Sequence, residues 1–176
     1  KSEETNLFKQ DNLIYKLCHQ GFVAYLTGND SASGNILVPA YATHNSSKYI
    51  VISISKNSFS NSKTIKTIQF SAYSEIQTID ENSFSYSSIE SITIPESVIE
   101  IASNAFSYCT KLKRVEFHPN SKLQKIYSYS FSNTNIESIS IPSNVEKIGK
   151  SAFKSCNQLK HIFIPNNSKL KNIQAC

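Results

Sequence analysis

From about residue 60 onward the apolar positions of this chain fall into two recurring motifs. The first has three apolar residues: Ile65, Ile68 and Phe70; Ile89, Ile92 and Ile94; Leu112, Val115 and Phe117; Ile136, Ile139 and Ile141; Leu159, Ile162 and Ile164. The second has two: Ile76 and Ile79; Val98 and Ile101; Leu123 and Ile126; Val145 and Ile148; Leu170 and Ile173. A Phe follows five residues after the second motif. The series Phe59, Phe84, Phe106, Phe131 and Phe153 is spaced by 25, 22, 25 and 22 residues. The full period is therefore a pair of units, 47 residues long. A period of this size predicts a solenoid, whose stacked units bury a core that no single unit could build.

The apolar–x–apolar ending of the first motif has the two-residue period of a strand with one buried face. Pro95, Pro142 and Pro165 end that strand in three units, because Pro lacks an N–H and disfavours helix before it. The stretch around each Phe, rich in Ala, Ser and Asn, is expected to form one brief helical turn. Identical positions then stack from rung to rung, and the first-motif strands should form one parallel sheet. Long units carry three extra residues in turns such as Pro119-Asn120-Ser121-Lys122, where Asn and Ser bond their own backbone.

The region before the repeats reads differently. Residues 1–12 are polar and expected to be a mobile leader. Residues 13–47 contain strand-like runs around His19-Gln20-Gly21 and through Ile36-Leu37-Val38, and are read as an N-terminal β-hairpin cap over the open core. Residues 48–176 are read as about five units, the last incomplete. The lack of Met implies a processed chain or a fragment, and the stop before a sixth Phe implies truncation. A monomer is expected, with an end-to-end dimer as the alternative.

The sequence Ile89-Glu-Ser-Ile-Thr-Ile-Pro-Glu-Ser-Val-Ile-Glu-Ile-Ala-Ser-Asn-Ala-Phe-Ser-Tyr-Cys109 carries the apolar spacing, Pro, Ala-Phe and Cys of one unit. It resembles the BspA-like, or Treponema pallidum type, leucine-rich repeat family, and the resemblance spans about residues 60–173. Ser83 and Ser130 depart from it by replacing the Ala before Phe, and the family's Ile-Gly occurs only at Ile148-Gly149. The resemblance implies a leucine-rich repeat solenoid, mainly β. It also implies a protein ligand: such proteins are associated with adhesion of bacteria and mucosal parasites to host matrix proteins, host cells or other microbes. A cell-surface or secreted place follows from it. An intracellular, cytoplasmic scaffold for protein–protein interaction is the alternative.

In such an array the two residues flanking the middle apolar residue of each strand face the exposed concave sheet. Thr67 and Gln69, then Ser91 and Thr93, open that face. Arg114, Glu116, Ser138, Ser140, His161 and Phe163 follow, and with Thr93 these are the candidate ligand-binding residues. Exposed aromatic rings and Arg are the side chains that most often anchor interfaces. The residues just before each pair, Lys66, Glu90, Lys113, Glu137 and Lys160, alternate in sign, which predicts a ladder of cross-rung ion pairs.

Composition narrows the function by exclusion. The net charge is +5, but the Lys residues are scattered and Arg114 is the only arginine, which argues against nucleic acid. No apolar run approaches the ~18 residues needed to cross a bilayer, so direct membrane insertion is not expected. Cys109 and Cys156 hold the same place in alternate units. Two rungs put them roughly 10 Å apart, too far for a disulfide, so they read as small buried hydrophobes. Cys18 and Cys176 have no evident partner, and the cysteines leave the compartment open. The four histidines lack neighbours at ligand spacing, which argues against a zinc site. There is no G-x-S-x-G, P-loop or G-x-G-x-x-G. The chain is accordingly read as non-enzymatic, without metal or cofactor. Asn29, Asn45 and Asn166 begin N-x-S/T sequences at about the number that so much Asn and Ser supplies by chance.

Overall fold

A computed structural model describes residues 6–174. Cys176 and residues 1–5 of the leader lie outside the described residues. Sixteen strands occur in the order β1 (Leu7–Gln10), β2 (Leu13–Cys18), β3 (Val23–Asn29), β4 (Gly34–Val38), β5 (Tyr41–His44), β6 (Ser47–Ile54), β7 (Ile65–Phe70), β8 (Thr78–Ile79), β9 (Ser91–Ile94), β10 (Glu100–Ile101), β11 (Arg114–Phe117), β12 (Lys125–Ile126), β13 (Ser138–Ser140), β14 (Lys147–Ile148), β15 (His161–Phe163) and β16 (Asn172–Ile173). No helix is present among the described residues. The fold is a β-solenoid.

Within residues 1–12, Leu7–Gln10 form β1 and pair antiparallel with β2, placing Leu7 opposite Lys16 and Gln10 opposite Leu13. Phe8 explains the attachment, because its ring stacks on buried Tyr15 at 5.3 Å. From β2 the sheet continues through β3 and β6 into β8, β10, β12, β14 and β16, with β5 also on β6. The pairing is antiparallel at the N-terminal end and becomes parallel where β3 meets β6. The second apolar motif thus builds its own sheet of two-residue strands, which its short sequence did not announce.

The first motif builds the opposite side, but not as one sheet. β4, β7, β9 and β11 form one parallel group and β13 with β15 another, and no hydrogen-bonded pairing joins β11 to β13. β4 is an additional rung: Ile36 aligns with Ile68 and Val38 with Phe70. Its Ile36-x-Val38-Pro39 has the spacing of Ile92-x-Ile94-Pro95 and was the available signal.

The Phe stretches form the third side, and they are not helical. In every unit the residues two before and two after the Phe have positive φ: Asn57 and Asn61, Asn82 and Tyr86, Asn104 and Tyr108, Tyr129 and Asn133, Ser151 and Ser155. Turning the chain left-handed at two points lets alternate N–H groups point along the solenoid instead of back into the turn. The N–H of Phe84 donates to the carbonyl of Ala105 at 2.8 Å, and that of Phe106 to Ser130 at 2.7 Å. Between them, i to i−3 bonds close each turn, such as Ser107 N–H to Asn104 at 3.1 Å. Asn is the residue other than Gly that best tolerates this backbone, which explains three Asn two places before the Phe.

Inside, the Phe rings form a continuous column. Phe59, Phe84, Phe106 and Phe131 are fully buried. Successive centroids from Phe59 to Phe153 lie 5.1, 5.0, 5.2 and 5.5 Å apart with planes within 7° of parallel. Cys109 and Cys156 are buried free thiols, as their column position predicts. Each donates to the carbonyl of the previous rung's Phe, Phe84 or Phe131, at 3.0 Å, and meets Ser87 or Thr134 of that rung. Burial pushes the Cys109 thiol up to about 11.

Candidate functional site

The strand face is built by the two-residue alternation of the first motif. Ile68, Ile92, Val115 and Ile139 turn inward and are buried, so their flanking residues turn outward. Thr93, Arg114, Glu116, Ser138, Ser140, His161 and Phe163 are all exposed on this face. Register sets Arg114 beside Ser91 and Glu116 beside Thr93, and it sets Ser138 beside His161 and Ser140 beside Phe163. The seven therefore form two groups, one on each side of the break between β11 and β13.

Within the first group the Arg114 guanidinium lies 3.9 Å from the Glu116 carboxylate, and both side chains are mostly exposed. Such a pair is worth little in water, so both remain available to a partner. Within the second, the rings of His161 and Phe163 are tilted at 32° with centroids 5.7 Å apart. The extra rung adds Asn35 and Leu37 to the face. Thr67 donates to the Asn35 side-chain oxygen at 2.9 Å, and Leu37 is 58% exposed. An apolar side chain thus stands at each end of the face, Leu37 and Phe163.

The anticipated charge ladder is absent from this face. Lys66, Glu90, Lys113, Glu137 and Lys160 make no ion pair among the described residues; instead their backbones bond between rungs, as from Glu90 N–H to Lys66 at 2.7 Å. Cross-rung pairs occur elsewhere: Lys56 with Glu81 at 2.9 Å, Lys125 with Glu100 at 2.8 Å, and Lys171 with Glu146 at 3.0 Å. The Glu100 hydrogen bond raises the Lys125 pKa, and Lys171 lowers that of Glu146. In the second-motif sheet the register sets Lys125 directly beside Glu100.

Two grooves lie at the carboxyl ends of the first-motif strands. One, of about 660 Å³, is bounded by Phe70, Tyr73, Pro95 and Ser97. The other, of about 1000 Å³, is bounded there by Phe117, Asn120, Pro142 and Asn144 and extends back along β11 and β13, so that Thr93, Arg114, Glu116, Ser138 and Ser140 of the strand face also line it. Sequence reasoning noticed the long turns that wall them but not the grooves. No group of three or more His, Cys, Asp or Glu among the described residues could hold a metal ion. No helix there is long and apolar enough to cross a membrane.

Residues 77–176 match the BspA type leucine rich repeat region, in six copies. No curated protein sequence matches the chain. Among solved structures, the pneumococcal vaccine antigen PcpA is similar over 93% of this chain and 51% of its own, at 23% identity and a TM-score of 0.69. The chain therefore spans about half the length of that antigen. The leucine-rich repeat protein of Treponema pallidum is similar over 88% of this chain and 70% of its own, at 17% identity and a TM-score of 0.54. A leucine rich cell surface protein from Faecalibacterium prausnitzii is similar over 96% and 56%, at 21% identity and a TM-score of 0.50. At these identities the likeness is one of fold. The repeat match covers more than half of the sequence and agrees with the columns seen in the structure. This chain belongs to the BspA-type leucine-rich repeat family, whose repeats form protein-interaction modules.

Proposed function

We propose that this chain is a non-enzymatic binding module of a cell-surface or secreted adhesion protein, and that it contacts host matrix or cell-surface proteins through its exposed strand face. One observation carries the reading. The interior columns repeat from rung to rung, whereas the outward pairs vary, from the uncharged polar Thr67 and Gln69 and Ser91 and Thr93, through Arg114 and Glu116, to the rings of His161 and Phe163. Arg114 supplies a planar donor fork and Phe163 an apolar anchor. Thr93, Glu116, Ser138, Ser140 and His161 supply polar positions around them. The surface setting draws on two fold relatives, one described as a vaccine antigen and one as a cell surface protein.

The test is a binding screen against matrix and cell-surface proteins, repeated with Arg114→Ala/Phe163→Ala. The double variant should weaken any ligand found by about tenfold or more. Unchanged affinity would refute the assignment of the strand face. A native sequence around this segment with neither export signal nor surface anchor would turn the reading toward an intracellular scaffold.

A further inference from the structure

The 47-residue double unit also repeats outside the core. The bounding residues of the first groove, Phe70, Tyr73, Pro95 and Ser97, correspond one for one with Phe117, Asn120, Pro142 and Asn144 of the second, each pair being 47 positions apart. The short-unit Pro lies in each groove beside the Phe that ends the preceding long-unit strand. The long turn after β11 separates them, since His118 borders both. Across the first groove His118 of that turn lies 3.7 Å and Lys122 3.5 Å from the Glu96 carboxylate. The two grooves thus share these corresponding walls two rungs apart, the second being larger because it continues along β11 and β13. Parallel strands at ~4.8 Å give a displacement of roughly 10 Å. The Phe column agrees, stepping 5.0 Å from Phe84 to Phe106 and 5.2 Å on to Phe131.

Resting on the protein-binding reading above, we propose that the two grooves are a paired docking site for a proline-rich segment in the polyproline II conformation, taking residue i in one groove and residue i+3 in the other. Polyproline II has three residues per turn and rises ~3.1 Å per residue, so i and i+3 point the same way about 9.3 Å apart. An extended β-strand does not fit, because its same-face residues recur at about 7 and 13 Å. An α-helix brings i and i+7 to about 10.5 Å, but its i+3 and i+4 side chains fall midway on the same face. They would meet the turn that carries His118 and Lys122. In polyproline II the residues at i+1 and i+2 turn away from that ridge. The lining suits such a ligand as well. Phe70, Phe117, Pro95, Pro142 and Tyr73, which is 88% exposed, supply the ring surfaces on which polyproline II segments dock.

Fluorescence anisotropy with a labelled peptide of repeated Pro-Ala-Gln tests this. Its controls are a peptide of the same composition with the prolines moved off the three-residue spacing, and a helical peptide with Leu at i and i+7. The regular peptide should bind most tightly. Tyr73→Ala, which strips the first groove, and Ser143→Trp, which fills the second, should each weaken it by about tenfold and erase the preference for regular spacing. Circular dichroism should show both variants folded. Equal binding of the two proline peptides, preference for the helical one, or no binding would overturn the proposal. Phe163→Ala lies outside both grooves and should leave the peptide affinity unchanged. If that variant loses a protein ligand from the screen while the proline peptides never bind, the strand-face reading stands and the groove reading falls.

Discussion

Along the Phe column the same ring returns at steps of 5.0 to 5.5 Å, whereas along the strand face no two adjacent rungs carry the same pair of side chains. The two regions share one backbone and one rung spacing. They differ in what surrounds the side chain. A ring stacked between two others in a closed interior has one acceptable size and shape. A side chain projecting into water has almost no such constraint, so chemistry can vary there without cost to the fold. The repeat therefore records stability, and the departures from it mark where recognition can be placed.

The strongest way to break that comparison is to remove one ring from the column. Phe106→Ala takes away the stacking partner of both Phe84 and Phe131 and should cost about 3–5 kcal/mol in urea unfolding. A loss below about 1 kcal/mol would show that the column is not what closes the interior.

The thiol column gives a pH-dependent version of the same test. The Cys109 pKa stands at about 11 in the folded chain against an ordinary value of 9.0, because burial disfavours the thiolate. Below pH 9 both folded and unfolded chains keep the proton and the stabilisation is complete. As pH rises toward 11 the unfolded chain releases it first, so about 2–3 kcal/mol of stability is lost across that window. Unfolding of the parent compared with Cys109→Ala between pH 8 and 11 isolates this loss. Parallel pH curves for the two would contradict it.

Gly149 sharpens the comparison at a single rung. A Cβ there would lie 2.6 Å from the Ser128 backbone nitrogen and 2.7 Å from the Tyr127 carbonyl carbon. Gly149→Ala should cost about 2 kcal/mol, since backbone must move to admit the methyl group. An unchanged unfolding midpoint would mean that the rungs separate there more easily than the close packing implies.

Smaller effects, of opposite sign, are expected at Ser83 and Ser130. Both hydroxyls are buried without a hydrogen-bond partner among the described residues, in the place that Ala105 and Ala152 fill elsewhere. Ser83→Ala and Ser130→Ala should each stabilise by about 1 kcal/mol. Destabilisation by either would reveal a bond that these hydroxyls make in solution.

Much of this division was legible in the sequence, because apolar spacing is a direct record of which positions stack. The Phe register located both buried cysteines, the outward pairs and the two Ser departures. The rest was obscured for physical reasons. β8 and its successors are only two residues long, too short to display a strand period. β4 hides behind the insertion that carries β5, although Ile36-x-Val38-Pro39 repeats the spacing of a full unit. The left-handed positions around each Phe were foreshadowed by Asn57, Asn82 and Asn104, but Tyr86 and Tyr108 gave no such sign. The charge alternation of Lys66 and its successors misled, because sequence spacing alone does not say which exposed side chains meet: among the described residues Lys56 with Glu81 and Lys171 with Glu146 pair across rungs, whereas Lys66 and its successors do not. The two grooves arise from turn length rather than residue type, so the turns were visible and the shape was not.

The most direct test of the separation between holding together and recognising is the unfolding free energy of Arg114→Ala/Phe163→Ala, measured beside that of Phe106→Ala. The double variant alters two exposed side chains and should unfold within about 0.5 kcal/mol of the parent. If it lost as much stability as the single change in the column, the strand face would be part of what holds the solenoid together, and the separation would be contradicted.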